Sequence, residues 1–183
     1  MIRLILLFLI STSSAFAESV VIGMDKEKVA ITATFDGSQI LLFGAVKRDK
    51  PAPIGDLQVI VTVAGPSERI SVHRKSKVLG IWMNTETVEV DAAPSFYAVA
   101  TSSNFLSTIS DTEDLRYKVS IPRAIRSVGA PMNVLDAVSF SEAVIRIRKE
   151  QGLYKLLENT VEIDEQTLFR TSIGMPADIS EGD

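Results

Sequence analysis

Short runs of alternating apolar and polar residues, rich in β-branched side chains and separated by turn signals, recur through most of this chain of 183 residues. A period of two is typical of β-strands with one buried face. Val29–Phe35 and Gln39–Val46 flank an Asp-Gly pair and predict a β-hairpin. Further strands are predicted at Leu57–Val63, Arg69–His73, Ile81–Val90, Thr160–Ile163 and Thr167–Ile173, and Phe96–Ala100 is predicted as a strand or the entry to a helix.

The pattern changes after residue 100, where two short segments stand out. Asn104, or its neighbour Ser103, is placed to cap a short helix that ends near Ile109. The acidic residues within Asp111–Asp114 are typical of a solvated turn. They do not match a calcium loop, because the glycine and the distal glutamate of an EF-hand are missing.

A longer helix is predicted over about residues 140–157, where apolar residues recur at helical spacing. Ser139 and Glu142 fit a capping box at its start, and Gly152 is expected to weaken or kink it. No linker or repeat divides the chain. Together these patterns predict one mainly β domain over residues 18–183, an immunoglobulin-like β-sandwich with one inserted or appended helix.

The first seventeen residues have the features of a secretory signal peptide. Arg3 supplies a positive charge, Leu4–Ile10 is an unbroken apolar run, and Ala15-Phe16-Ala17 is a small-x-small cleavage site. The apolar run is too short to span a bilayer as a helix, which needs about 20 residues. We therefore predict export with cleavage after Ala17. Because cysteine is absent, a bacterial periplasm is the expected destination.

Composition excludes several chemistries. The lack of cysteine excludes disulfides, thiolate nucleophiles and Fe–S clusters, so the fold depends on burial alone. His73 is the only histidine, which excludes a histidine zinc cluster within one chain. The net charge of −4 argues against nucleic acid and anionic lipid as partners. We expect no catalytic residue, no metal and no cofactor. Carboxylates that form only a weak hydrolase pattern are Asp56, Glu86, Glu89 and Asp91.

The densest positive cluster comprises Arg69, His73, Arg74, Lys75 and Lys77. As a functional site, it would be an anion pocket or the docking edge for an acidic partner, because guanidinium forks match carboxylates and oxyanions. As a structural feature, it would be an edge strand that charge protects from aggregation. For the histidine, a solvated position on the strand is the expected role.

Aromatic residues offer a second set of candidates. Trp82, Phe96 and Tyr97 could line a ligand groove, or they could belong to the sandwich core, since each buries a large apolar area. Asn84 follows the tryptophan closely and is a turn or partner residue. Residue types alone do not separate these alternatives.

Several short motifs resemble a known family in their order along the chain. In the first half they are Phe43-Gly44, Gly65-Pro66, Arg74-Lys75, Gly80-Ile81-Trp82 with Asn84, and Pro94-Ser95-Phe96-Tyr97-Ala98. In the second half they are Phe140–Arg146, Gly152-Leu153-Tyr154, Leu168-Phe169-Arg170 and Met175-Pro176. The chain is similar to the alphaproteobacterial putative transmembrane protein family, whose members are exported proteins with a C-terminal membrane helix.

The resemblance implies no catalytic residues, and it links such proteins to sulfite or organosulfonate export permeases. We therefore expect a periplasmic accessory module, tethered to the inner membrane in its full form, with a permease as partner. Because no apolar span follows residue 17, the chain is either a soluble variant or a fragment without the C-terminal helix. A fragment is expected, because a final β-edge that ends at Gly182-Asp183 would leave a strand unpaired. A small-anion-binding module is the alternative. Candidate contacts in both hypotheses are Arg74, Lys75, Trp82, Asn84 and Tyr97, and Pro94 also matches the family pattern.

Overall fold

The structure is a computed structural model. It describes residues 19–26, 28–29, 36–48, 55–126 and 136–180. The predicted signal peptide and most of the predicted strand Val29–Phe35 lie outside the described residues. The strands are β1 Ser19–Met24, β2 Ser38–Lys47, β3 Ile60–Ala64, β4 Ser67–Val78, β5 Ile81–Pro94, β6 Tyr97–Thr101, β7 Tyr154–Leu157, β8 Glu162–Asp164 and β9 Leu168–Met175. The helices are α1 Phe105–Thr108, α2 Asp111–Tyr117, α3 Ile121–Ala124 and α4 Val138–Glu150.

Two sheets face each other across the main core. One has the strand order β1-β2-β9-β8 and the other β3-β6-β7. Leu42 and Val46 of β2 and Ile173 of β9 share one buried cluster with β6 and with Tyr154 of β7. Every residue of β6 is buried, as expected for the central strand of a sheet covered on both faces. The predicted mainly β class, a sandwich with helical additions, is confirmed.

The pairing of β2 differs from the predicted hairpin. Its antiparallel neighbours are β1 on one side and β9 on the other, with Val21 opposite Ala45 and Phe43 opposite Arg170. The first strand was not predicted because it follows the apparent leader directly and reads as a continuous apolar run rather than an alternating one. The two strands predicted near the C-terminus are present as β8 and β9.

Among the described strands, β4 and β5 pair with each other alone and form a third sheet, which we call the ribbon. Two-stranded ribbons are marginally stable in water unless something covers one face. Helix α4 supplies that cover. Phe140 packs against Val88, and Val144 packs against Val90 and Ala93. At the base of the ribbon, the backbones of Ala92 and Arg126 exchange hydrogen bonds of 3.1 and 2.9 Å.

The predicted helix over residues 140–157 is too long, and its capping box is wrong. Helix α4 ends at Glu150, because Gly152 takes a positive φ of 71° that ends the helix, and Tyr154–Leu157 forms strand β7. At the start, Ala137 occupies the N-cap position. Asp136 instead accepts a hydrogen bond of 3.2 Å from the Ser139 amide.

The acidic segment is a helix rather than a solvated turn. Ser110 caps α2 by accepting from the Glu113 amide, and carboxylates in the first turn suit the positive end of the helix dipole. The Asp114 side chain is 8% exposed and pairs with Arg123 Nε at 2.8 Å. The same carboxylate accepts from the Ser120 amide at 2.7 Å. This residue therefore joins α2 to α3.

We expect Asp114→Ala to lower the free energy of unfolding by about 2 kcal/mol, because it leaves the Ser120 amide and the Arg123 guanidinium without their charged acceptor. Denaturant titration measures this loss. Asp111→Ala is the matched control, since the Asp111 side chain is 98% exposed and 3.7 Å from the same guanidinium. Its stability should stay close to that of the parent chain. Equal losses in the two variants would contradict the assignment.

Burial raises the pKa of Tyr97 and of Tyr154. The negative charge of Asp114 raises the pKa of Tyr97 further, and the positive charge of Arg148 partly offsets the rise in the pKa of Tyr154. Tyrosines of the unfolded chain ionise near pH 10. Above that pH the folded state holds more protons than the unfolded state, so stability should fall as pH rises. We expect the double variant Tyr97→Phe/Tyr154→Phe to start less stable at pH 7 and to lose stability less steeply above pH 10. Urea titrations across this range measure both slopes, and identical slopes would contradict the prediction.

Candidate functional site

The register of the ribbon brings three of the predicted contact residues onto its distal half. Lys75 lies opposite Asn84, and Lys77 lies opposite Trp82. Just below them Arg74 lies opposite Glu86, so the register shifts by one residue at this point. Such a bulge bends a strand and turns the side chains beyond it. Lys75 and Lys77 are exposed, and among the described residues neither forms an ion pair.

Arg74 is committed to holding the ribbon against α4. Its Nη1 donates to Glu86 Oε2 at 2.7 Å, and its Nη2 donates to Ser139 Oγ. Asp136 lies 3.7 Å from the same guanidinium, whose carbon sits 4.6 Å from the centre of the Phe140 ring. This arginine therefore joins both ribbon strands to the first turn of α4, with little capacity left for a ligand.

The remaining members of the basic cluster are spread along β4. His73 is exposed, and its Nδ1 lies 2.9 Å from Thr87 Oγ1 on the neighbouring strand. Arg69 lies 3.8 Å from Asp91, and its side chain is 69% exposed. Both positions are those of solvated strand residues, and neither is arranged as a catalytic pair.

A groove of 520 Å³ runs between β4 and α4. Its cationic and polar walls include Lys75, His73, Asn84 and Arg148. Apolar side chains form the rest of the lining: Ile70, Val72, Val144 and Ile147. The Arg148 Nη1 donates to the Ser95 carbonyl at 2.8 Å, which ties the end of α4 to the body of the domain. The groove thus combines an apolar floor with positive charge.

One edge of the groove is an exposed strand edge. Among the described residues β4 pairs with β5 alone, over twelve residues from Ser67 to Val78. The opposite edge of β4 therefore presents backbone amides and carbonyls that another extended chain can pair with. Lys75 and Arg148, which line the same groove, favour a partner that carries carboxylates.

The remaining candidates lie outside the groove. Tyr97 belongs to the main core, where its hydroxyl donates to the Val119 carbonyl at 2.9 Å and its ring meets Tyr154 edge-on. Pro94 is buried at the end of β5, and its carbonyl accepts from the Tyr154 hydroxyl at 2.8 Å. Trp82 is 67% exposed near the end of the ribbon and does not line the groove. The five candidates therefore do not converge on one anion.

Sequence reasoning missed the contribution of α4 to this groove. Ile147 and Arg148 lie three and four residues after Val144, so all three share a helix face. That spacing was visible in the sequence, but the partner of the face was not. No group of three or more histidine, cysteine, aspartate or glutamate residues in the described ranges could hold a metal ion.

Comparison with known proteins gives one match. A family model described as "Putative transmembrane protein" (Alph_Pro_TM) matches residues 19–183. No curated protein and no solved structure matches the chain. Within the described part of the chain, no helix has the length and apolar character needed to cross a membrane. The match covers nearly the whole chain and confirms the resemblance seen in its motifs; the chain belongs to the putative transmembrane protein family Alph_Pro_TM.

Proposed function

We propose that this chain is a non-catalytic accessory domain that binds an extended, acidic segment of a membrane-protein partner in the groove between β4 and α4. The observation that carries the proposal is the combination, in one groove, of a strand edge that no described strand pairs with, an apolar floor and the two cations Lys75 and Arg148. Peptides that add a strand to a sheet edge gain affinity from backbone hydrogen bonds and specificity from the side-chain pockets beside that edge.

The groove also matches the length of such a segment. The part of β4 that lines the groove lies within residues 70–75, about 20 Å of strand at about 3.3 Å per residue, which suits a bound peptide of five or six residues. Alternating apolar and acidic side chains on that peptide would meet the apolar floor and the cations in turn. A catalytic role has less support, because the groove holds no paired acid and base with a nucleophile between them.

Family membership supports a partner in the membrane. The matched family is described as transmembrane, and the first seventeen residues have the pattern of an export signal. We place the domain on the periplasmic face of the inner membrane, tethered there in the full-length protein. The resemblance to proteins linked with sulfite or organosulfonate export makes a permease of that class the proposed partner.

Site-specific photo-cross-linking tests this proposal. A photoreactive residue replaces Ser71, which is exposed and lines the groove, in cells that make the chain natively. We expect a membrane permease in the adduct, identified by mass spectrometry. Adding Lys75→Glu should reduce the adduct at least tenfold, because it reverses the charge that faces the partner's carboxylates. Arg74 is not used, since its loss would loosen the ribbon itself.

Two controls accompany the cross-linking experiment. Lys47→Glu makes the same charge reversal at the exposed end of β2, outside the groove, and should leave the adduct unchanged. A photoreactive residue at Ser172, on the exposed face of β9, should give no permease adduct. Equal adducts from Ser71 and Ser172, or a groove adduct without any membrane protein, would contradict the proposal.

A second candidate, binding of a small anion, is favoured by the presence of Lys75 and Arg148 in one groove. If the groove binds such an anion, sulfite, sulfate or taurine should raise the melting temperature in a saturable manner, since a ligand of the folded state stabilises it. Lys75→Gln should abolish the rise. Lys77→Gln should preserve it, because Lys77 does not line the groove. A flat response to all three compounds would eliminate this candidate.

A further inference from the structure

We infer that the end of the ribbon inserts into the surface of an anionic lipid bilayer. We call residues 78–83 the ribbon tip. The ribbon tip lies outside the groove, and the two proposals share only Lys75. Because the test below changes Leu79 and not Lys75, this inference stands or falls independently of the proposed function. It rests on the exposure of the ribbon tip, on the conformation of its turn and on the charge around it.

The ribbon tip exposes large apolar side chains that no described residue covers. Leu79 is 99% exposed, Trp82 67%, Ile81 66%, Met83 52% and Val78 42%. The base of the same ribbon, at Val88 and Val90, is fully buried against α4. Exposed apolar residues scattered singly need no explanation, but five of them within six positions form a continuous patch.

The turn at the ribbon tip makes the leucine harder to explain on local grounds. Leu79 and Gly80 connect Val78 to Ile81, and their φ angles are +48° and +87°. A two-residue hairpin turn with both φ angles positive is of type I′, which favours asparagine, aspartate or glycine at its first position. Leucine rarely adopts that conformation. The leucine side chain therefore does not stabilise the turn, whereas its burial in a lipid surface would be favourable.

The charge near the ribbon tip suits anionic lipid despite the acidity of the chain as a whole. Residues 75–85 contain Lys75 and Lys77 and no acidic residue, although the net charge of the chain is −4. The two lysines lie two and four residues before Leu79, about 7 to 13 Å along the strand. Lysines at that depth can extend their amines to phosphate groups while the apolar tip lies deeper.

The arrangement of side chains favours a bilayer over a protein surface. The paired Val78 and Ile81 occupy one face of the ribbon, whereas the paired Lys77 and Trp82 occupy the other. Lipid covers both faces of a projecting tip when the tip enters a bilayer surface. A protein groove of ordinary depth would cover mainly one face of the tip. Tryptophan and lysine are also the side chains that anchor proteins at the interfacial region.

Trp82 is the only tryptophan of the chain and therefore a native reporter of this contact. The chain without residues 1–17 is mixed with vesicles of phosphatidylethanolamine and phosphatidylglycerol at a ratio of about 7:3. The negative charge of this surface attracts basic segments. We expect a blue shift of tryptophan emission and quenching by brominated lipid. With uncharged phosphatidylcholine vesicles, or at high salt, both signals should weaken markedly.

Leu79→Asn separates insertion from folding. Asparagine suits the type I′ turn, so the ribbon should form at least as well, while vesicle binding should fall about tenfold because the deepest apolar side chain is lost. Leu106→Asn is the matched control at an 82% exposed leucine of α1, and it should bind like the parent chain.

Three results would overturn the inference. The first is the absence of a blue shift and of lipid quenching with the anionic vesicles. The second is equal signals for Leu79→Asn and the parent chain. The third is a loss of vesicle binding in Leu106→Asn as large as that in Leu79→Asn. If vesicles give no signal but Trp82 becomes protected when a partner protein is added, the ribbon tip is a protein contact instead. Circular dichroism of each variant confirms that the compared chains are folded.

Discussion

The packing of α4 against the ribbon is the interaction on which the functional geometry depends. A two-stranded sheet does not hold its shape in water without cover on one face. Here Phe140 and Val144 provide the cover, and Arg74 joins the two strands to the first turn of the helix. The same packing creates the groove, because β4 and α4 form its two walls. One contact thus both supports the ribbon and shapes the candidate binding site.

Much of the fold was predictable because the two-residue alternation of apolar and polar side chains identifies strands in the sequence. The segments of β2, β3 and β5 were predicted within a few residues, since alternation and turn residues are local signals. The prediction for β4 ended five residues too early, at His73 instead of Val78, and β6 was predicted as a strand or the entry to a helix. The failures came from longer-range effects. Tyr154 continues the helical spacing of α4, yet Gly152 ends that helix and the tyrosine hydroxyl finds its acceptor at Pro94 in the core. Asp114 reads as solvated until Arg123, nine residues later, folds back against it.

The candidate site was predicted only in part. Lys75 and Asn84 share a groove, as a basic strand beside a turn suggested, but Arg148 enters it from α4, some seventy residues along the chain. In the sequence, Arg74 and Tyr97 look like donors that are free to bind a ligand. In the structure Arg74 donates to Glu86 and Ser139, and Tyr97 donates to a backbone carbonyl. Whether a polar group is available to a ligand depends on tertiary partners that residue type does not reveal.

The pairing of β2 with β9 has a consequence for the order in which this chain can acquire its structure. β2 begins at Ser38, and its antiparallel neighbour β9 ends at Met175, so the four-stranded sheet joins nearly opposite ends of the sequence. Contacts of such long separation form late, whereas the ribbon closes across two residues and can form early. A chain emerging from a ribosome or a translocation channel must therefore wait for β9 before the sandwich can close. Until then one edge of β2 stays open, and the compartment that receives the chain must keep it from aggregating.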